Sequence, residues 1–145
     1  MPIEISICKQ VTDEVVAAFE RLVPQLSSSA HIPSRTELEE IAANESLLIA
    51  RDSDQAGRII GSLTLVTFRI PTGVRAWIED VVVDESARGK GAGEALTRRA
   101  LERAQELGSK TVDLTSRPTR EAANRLYQRV GFELRSSNLY RYKLD

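Results

Sequence analysis

Residues 78–96 read Ile-Glu-Asp-Val-Val-Val-Asp-Glu-Ser-Ala-Arg-Gly-Lys-Gly-Ala-Gly-Glu-Ala-Leu, an apolar run followed by a short acidic turn and a glycine-rich segment. The β-branched residues at 81–83 are typical of a buried strand. Apolar residues recur at helical spacing from Ala92 to Leu107, which predicts an amphipathic helix directly after the glycines. Glycine has no Cβ, and the first amides of a helix lack internal acceptors, so the loop is predicted to bind an anion.

The spacing of the glycines narrows the choice of anion. A nucleoside-triphosphate loop needs Ser or Thr directly after Gly-Lys, but Lys90 is followed by Gly91. The dinucleotide pattern Gly-x-Gly-x-x-Gly is incomplete from either starting glycine. The remaining pattern, Arg-x-x-Gly-x-Gly from Arg88 to Gly93, follows a strand and resembles the pyrophosphate-binding motif of the GNAT superfamily of N-acetyltransferases, which use acetyl-CoA. The alternative is a glycine-rich turn that serves only the entry into the helix.

A second stretch, from Asn124 to Phe132, is similar to the same superfamily. It reads Asn-Arg-Leu-Tyr-Gln-Arg-Val-Gly-Phe, with the Asn-x-x-Tyr spacing and the Gly-Phe ending of the family. The resemblance implies that Asn124 contacts the pantetheine or phosphate region of acetyl-CoA and that the Tyr127 hydroxyl lies near its sulfur. The alternative makes Tyr127 a core aromatic residue and Asn124 a solvated one.

The resemblance also implies which other residues hold the cosubstrate. In this superfamily the central strand bulges and splays from its parallel neighbour, so that backbone groups reach the pantetheine arm in the manner of an added strand. Val81, Val82 and Val83 lie on this strand, and the Val81 amide is expected near the thioester oxygen. Thr115 and Ser116 are expected on the opposite wall. The loop residues assigned to the pyrophosphate, through their amides and the charges of the two cations, are Arg88, Gly89, Lys90, Gly91, Ala92, Gly93 and Glu94.

Acetyl transfer to an amine needs a neutral nucleophile and a proton for the departing thiolate. Neutralising a lysine-like amine at pH 7 costs about 4.6 kcal/mol, so a general base is useful. Glu79 and Asp80 precede the valines and are predicted to point to opposite faces of the strand, so at most one can face the cleft. Glu79, acting through water, is the preferred base, and the alternative is that both are exposed carboxylates. Tyr127 is the predicted general acid.

Composition bounds the class of protein. With 145 residues, 41% hydrophobic and 28% charged, the chain is predicted to form one globular domain over residues 1–145. A formal net charge of −1 gives no basic field that would draw the protein to nucleic acid or a membrane. Cys8 is the only cysteine, which excludes an intrachain disulfide and a thiolate zinc cluster, and no metal site is predicted. Without an apolar span or a signal-peptide pattern, the protein is predicted to be cytoplasmic.

The rest of the chain predicts a mixed α/β fold. Helices are predicted after the caps Thr12, Ser34 and Thr119, and Pro24 is expected to stop or kink the first near Val23. The sheet is predicted to have about seven strands, mostly antiparallel with a central parallel pair, flanked by about four helices. The predicted strands cover residues 3–8, 46–51, 59–69, 76–83, 111–115, 132–135 and 139–144.

Three classes of function are compatible with these features. The leading hypothesis is transfer of the acetyl group from acetyl-CoA to a primary amine of a small molecule or a protein, by direct attack in a ternary complex. Residues 78–84 look like the central strand of the amino-sugar phosphate acetyltransferases, so that branch is a close variant. The other classes are a non-catalytic acetyl-CoA sensor and an interaction protein with a purely structural loop. Superfamily members are often homodimers, and the apolar and aromatic residues at 139–144 offer a surface for a homodimer.

Overall fold

The computed structural model describes residues 2–145, which divide into a sheet unit running to Thr115 and a C-terminal unit, Ser116–Asp145. The sheet unit contains one sheet whose five strands lie in chain order. Adjacent strands are antiparallel except for the last pair, which is parallel. The strands are β1 (Ile3–Ile7), β2 (Ser46–Asp52), β3 (Arg58–Ile70), β4 (Gly73–Val83) and β5 (Val112–Asp113). The mixed sheet with its parallel pair confirms the predicted fold class, although the described residues form five strands instead of about seven.

The described residues also form four α-helices: α1 (Asp13–Leu26), α2 (Arg35–Asn44), α3 (Ala92–Glu106) and α4 (Glu121–Val130). The Thr12 hydroxyl accepts from the Val15 amide, and Ser34 and Glu37 form a reciprocal capping box, so two of the three predicted caps are confirmed. α1 continues past Pro24 to Leu26 and does not stop at Val23. Proline removes only one amide from this last turn, and the Ser27 amide still donates to the Val23 carbonyl at 3.1 Å.

The helices of the sheet unit cover both faces of the sheet. On one face, α1 packs on β3 and β4 and α2 packs on β2, around a core that includes Leu22, Leu38 and Leu47. On the other face α3 packs across the strands, and an added Cβ at Gly61 would lie 3.4 Å from Leu96 of that helix. Leu47 and Leu48 are both fully buried, because successive residues of β2 point into opposite cores.

β4 is irregular where it approaches the glycine loop. Its pairing with β3 shifts register between Thr64↔Glu79 and Ser62↔Val82, so β4 carries one extra residue. Asp80, within this bulge, has a φ of 49°, a left-handed conformation that Asp tolerates better than most residues. β4 pairs with β5 only near Ala76, and the paired register ends at Trp77. The structure therefore confirms the predicted bulge and the separation of β4 from its parallel neighbour.

The C-terminal unit departs most from the prediction. Residues 132–145 contain no described helix or strand, so the predicted hairpin of residues 132–135 and 139–144 was wrong. An isolated hairpin is only marginally stable unless its apolar face is covered, and here that face is exposed, from 71% at Leu139 to 91% at Leu134. Thr119 is also not the cap of α4, which begins after Arg120 without a side-chain cap.

The homodimer remains a prediction, and the exposed Tyr140, Tyr142 and Leu144 give it a physical basis. We expect light scattering to give a mass of about twice the 16.1 kDa of the chain. Tyr140→Ser combined with Tyr142→Ser should shift the mass towards the monomer at equal concentration, because it removes apolar contact area. A wild-type mass of one chain at high concentration would rule the homodimer out.

Candidate functional site

The glycine loop joins β4 to α3 and leaves the start of that helix open. Gly91 is the N-cap of α3 with a φ of 82°, and no side chain caps the helix. The first-turn amides of an α-helix have no internal acceptor, so here they can donate to an external anion. Gly89 has a φ of 85°, and a Cβ added at either glycine would meet nothing within 4 Å. The loop thus has both the donors and the open space that a bound phosphate group requires.

A buried carboxylate, Asp52, holds the glycine loop through an ion pair with Lys90. Lys90 Nζ lies 2.7 Å from Asp52 Oδ2, and Asp52, at the end of β2, is fully buried. The same carboxylate accepts from the Asp54 amide at 2.9 Å and from Gln55 Nε2 at 3.0 Å. The hydrogen bond from Lys90 lowers the pKa of Asp52, and the pKa of Lys90 is correspondingly raised. The charge of Lys90 is therefore used within the protein, where it holds the loop.

Asp84 fixes the entry to the loop. It is 5% exposed, accepts from the Ser86 amide at 3.1 Å, and forms an ion pair with Arg21 Nε at 3.1 Å. The Arg21 guanidinium also donates to the Ile59 carbonyl, which connects α1 to the sheet. Burial alone would raise the pKa of Asp84, but the hydrogen bonds from Ser86 and Arg21 outweigh it and keep the pKa below its usual value. Sequence reasoning missed Asp52 and Asp84, because their cationic partners, Lys90 and Arg21, lie 38 and 63 residues away in the chain.

Asp52→Asn should destabilise the protein in a pH-dependent way. A carboxyl group with a lowered pKa stabilises the native state above its ordinary pKa of about 4 and loses this contribution as the pH falls through the native value. The stability difference between wild type and Asp52→Asn, from urea unfolding, should therefore shrink between pH 6 and pH 3. A double-mutant cycle with Lys90→Met should show coupling at pH 7. Equal differences at both pH values would contradict the ion pair.

The bulge in β4 changes the arrangement of its two carboxylates. Glu79 is exposed and lies opposite Thr64 in the sheet, and directly opposed residues share a face. Asp80, within the bulge, is exposed as well and lines a cavity together with Thr64 and Val82. The prediction that the two carboxylates point to opposite faces assumed a regular strand, and the bulge interrupts that alternation. Of the three valines, Val82 is buried, whereas the flanking two are half-buried along the strand edge.

This cavity has a volume of about 410 Å³ and lies between the α1–α2 segment and the sheet. The α1 end and the following loop contribute Phe19, Val23, Leu26, Ala30 and Pro33. Its remaining apolar lining comes from Leu38, Ile41, Leu47 and Val82. Polar lining residues are Ser27, His31, Glu37, Thr64 and Asp80. Its size falls within the range of small-molecule sites.

The C-terminal unit holds three of the predicted site residues. Burial raises the pKa of the Tyr127 phenol, and its ring packs edge-on against Phe132 with the ring centroids 5.7 Å apart. Asn124 Nδ2 donates to the carbonyls of Arg117 and Arg120 and so holds the turn before α4. The Ser116 Oγ is buried and has no hydrogen-bond partner among the described residues. Thr115, the remaining predicted site residue, is exposed at the end of the sheet unit.

A protein-family model described as the acetyltransferase (GNAT) family matches residues 11–132. The chain belongs to the GNAT family of acetyltransferases. A glucosamine 6-phosphate N-acetyltransferase of rice, Oryza sativa subsp. japonica, is 33% identical over 113 residues, which cover 72% of this chain and 68% of the relative. GNAT enzymes use acetyl-CoA as cosubstrate, and the chain is accordingly an acetyl-CoA-dependent N-acetyltransferase.

Solved structures agree with this GNAT assignment. An acetyltransferase of Trypanosoma brucei, 27% identical, superposes with a TM-score of 0.74 over 98% of this chain and 99% of the other. A glucosamine-6-phosphate N-acetyltransferase of Arabidopsis thaliana gives a TM-score of 0.76 at 21% identity, over 96% and 98% of the two chains, and shows the same fold. Among residues 2–145, no helix combines the length and apolar character needed to cross a bilayer. No cluster of potential metal ligands occurs in the same residues.

Proposed function

We propose that this GNAT enzyme transfers the acetyl group of acetyl-CoA to a primary amine by direct attack within a ternary complex. The observation that carries the proposal is the uncapped N-terminus of α3, which follows the bulged, partly unpaired strand β4. The amides there provide anion donors, and the strand edge provides backbone groups for an extended substrate. Both features occur where the motif of the family predicts them.

The proposed cosubstrate site begins with the residues of the glycine loop. The amides from Gly89 to Gly93, with Ala92 and Glu94 in the first turn of α3, would hold the pyrophosphate. Arg88 is exposed and would add charge at the rim, whereas Lys90 would act mainly by holding the loop through Asp52. The buried, unpartnered Ser116 Oγ is a polar atom that a ligand could satisfy.

The pantetheine arm would lie along the open edge of β4. Val81 and Val83 would supply backbone groups to the arm, with buried Val82 between them holding the strand to the core. The family resemblance further proposes contacts to the arm from Thr115 and from Asn124. This arrangement would extend the sheet by hydrogen bonds between the strand backbone and the amide groups of the pantetheine arm.

Glu79 is the proposed base and would act through a water molecule. The attacking amine must lose its proton, which costs about 4.6 kcal/mol at pH 7 for a lysine-like amine without assistance. The Glu79 side chain is exposed on the face shared with Thr64, next to Asp80 and the cavity. A carboxylate in this place can accept a proton relayed by water as the nitrogen attacks the thioester carbon.

Tyr127 is the proposed acid. The C–S bond of the thioester breaks as the new C–N bond forms, and the departing thiolate takes a proton. Transfer from an ordinary phenol to a thiolate of pKa about 8.5 is uphill by about 2 kcal/mol, and burial of Tyr127 raises this further. Such a proton transfer is efficient only within hydrogen-bond distance of the sulfur. The contribution of Tyr127 to the rate therefore depends on where its hydroxyl lies relative to the bound thioester.

Thiol release is the experiment that tests the proposed function. Purified protein would be incubated with acetyl-CoA and a panel of primary amines, and free CoA would be measured with a thiol reagent. We expect acetyl-CoA to raise the melting temperature and at least one amine to accelerate thiol release. A melting shift without release for any amine would favour the sensor, and no shift at all would favour a structural loop.

Glu79→Gln should lower the rate at neutral pH and regain part of it in alkaline solution. Near the pKa of the amine, about 10.4 for a lysine-like group, the acceptor is already largely neutral and needs no base. The measurement is kcat/KM as a function of pH for wild type and variant with one amine. Glu4→Gln, a change on the exposed side of β1, is the matched control and should follow the wild-type profile. If the ratio of the kcat/KM of Glu79→Gln to that of wild type were constant across the pH range, Glu79 would not be the general base.

The second candidate function is acetylation of an amino-sugar phosphate. The rice relative, which is 33% identical to this chain, is a glucosamine 6-phosphate N-acetyltransferase. Residues 78–84 also resemble the central strand of that branch. This candidate requires that the acceptor site of the present chain provide cationic donors for a phosphate group.

A further inference from the structure

The cavity beneath α1 and α2 has an acidic lining. Its charged side chains include the carboxylates of Asp80 and Glu37, and His31 Nε2 lies 2.8 Å from Glu37 Oε1. Within residues 2–145, neither a lysine nor an arginine lines the cavity. An electrostatically complementary ligand therefore presents a cation, and an alkyl ammonium group fulfils this requirement at neutral pH.

The nearest helix N-terminus cannot replace the missing cations. α2 begins beside the cavity, but its cap is a closed reciprocal pair in which the Ser34 hydroxyl accepts from the Glu37 amide at 3.2 Å. The Glu37 carboxylate in turn accepts from the Ser34 amide at 2.9 Å. Two of the amide donors at this helix start are thus engaged, and the carboxylate placed there repels an anion. Among residues 2–145, the cavity lining thus offers a phosphate or carboxylate group no lysine or arginine, and its one histidine, His31, is already paired with Glu37.

Most of the cavity wall is apolar. Phe19 and Val23 of α1 face it, together with Ile41 of α2 and Val82 of β4. A polar sugar would lose hydration against such a wall and could regain hydrogen bonds only from the few polar lining residues, whereas an apolar body gains from leaving water. At about 410 Å³ the cavity is large enough for an aromatic ring with a short alkyl chain.

We propose that the acceptor is a primary amine on an apolar or aromatic body without phosphate or carboxylate groups, and that Asp80 binds its ammonium group before acetyl transfer. This inference rests on the proposed function, which it makes more specific. Asp80 is suited to this role because the bulge in β4 places it in the cavity lining next to Thr64. This position is beside the strand edge proposed for acetyl-CoA. The same inference disfavours amino-sugar phosphates as substrates.

The first test compares substrates. With saturating acetyl-CoA, kcat/KM would be measured for 2-phenylethylamine, ethanolamine, glucosamine and glucosamine 6-phosphate. We expect 2-phenylethylamine to exceed both sugars by at least 100-fold, because the sugars lose hydration and the phosphate meets carboxylates. A higher kcat/KM for glucosamine 6-phosphate than for 2-phenylethylamine would overturn the inference and leave acetyl transfer to amines intact.

The second test uses matched variants. Asp80→Asn keeps the size of the side chain and tolerates the same positive φ, so the protein should fold, and we expect kcat/KM for 2-phenylethylamine to fall at least tenfold. Ala30→Lys places a cation in the cavity wall and should also lower kcat/KM for 2-phenylethylamine. Ser28→Lys adds the same charge at an exposed position of the same loop that does not line the cavity, and it should leave kcat/KM unchanged. Equal rates in Ala30→Lys and Ser28→Lys would contradict the cavity assignment.

Direct binding separates failure of this inference from failure of the proposed function. Calorimetry would measure 2-phenylethylamine and acetyl-CoA separately on wild type and Asp80→Asn. If acetyl-CoA does not bind, the proposed function fails, while amine binding that is lost in Asp80→Asn still supports the cavity assignment. If acetyl-CoA binds but 2-phenylethylamine neither binds nor is acetylated, the inference is wrong and the proposed function stands.

Discussion

Gly91→Val and Gly93→Val are each expected to abolish acetyl-CoA binding, with at least a 100-fold loss of affinity, in a protein that still folds. The amides of the first turn of α3 can reach a phosphate group only because no side chain stands between them and the ligand. A Cβ at Gly91 would meet nothing within 4 Å inside the protein, so the substituent extends into the space proposed for the pyrophosphate. Calorimetry with acetyl-CoA is the measurement.

The control for backbone strain lies at the other end of the same helix. Gly91 has a φ of 82° and Gly108 a φ of 85°, and a Cβ at Gly108 also has free space. Gly108→Val therefore carries a similar strain penalty, of the order of 1 to 2 kcal/mol, without touching the loop. It should bind acetyl-CoA like wild type, and Arg88→Ala should lose only a few-fold, because its charge is exposed. Unchanged affinity in a folded Gly93→Val protein would overturn the assignment of the phosphate site.

Tyr127→Phe is expected to lower kcat by about 100-fold while the affinity for acetyl-CoA stays near the wild-type value. The change removes one hydroxyl group and preserves the ring that packs edge-on against Phe132. General acid catalysis typically contributes 10² to 10⁴ in rate, and a group that acts only in the transition state affects kcat and kcat/KM alike. Steady-state kinetics and calorimetry on the same preparation separate rate from affinity.

Two further measurements isolate the hydroxyl of Tyr127. Phe132→Leu disturbs the ring packing and retains the Tyr127 phenol. It should therefore lower the free energy of unfolding and leave kcat near the wild-type value. Alkaline pH should not rescue Tyr127→Phe, in contrast to the partial rescue expected for Glu79→Gln, because the thiolate still lacks its proton donor. A wild-type rate in Tyr127→Phe would mean that water or another residue supplies the proton and that Tyr127 only packs.

Local patterns in the sequence predict the sheet unit well. Strand and helix periodicity, the caps Thr12 and Ser34, and the parallel pair formed by β4 and β5 all follow from interactions within a few residues or from connection rules. The C-terminal hairpin could not be predicted in this way, because alternating apolar residues form strands only when another surface covers them. The described structure leaves Leu139 and Tyr140 exposed instead.

The sequence by itself determined the glycine loop at the start of a helix and the family to which this chain belongs, because spacing along the backbone is enough to place amides at a helix N-terminus. The tertiary structure decided what surrounds that loop. The pairing of Lys90 with buried Asp52 joins segments 38 residues apart. The position of Asp80 in the lining of the largely apolar cavity depends on a bulge that is defined by pairing with the neighbouring strand. Contacts between distant segments arise from packing and leave no local pattern, so the side chains proposed to select the acceptor emerge only in the folded protein.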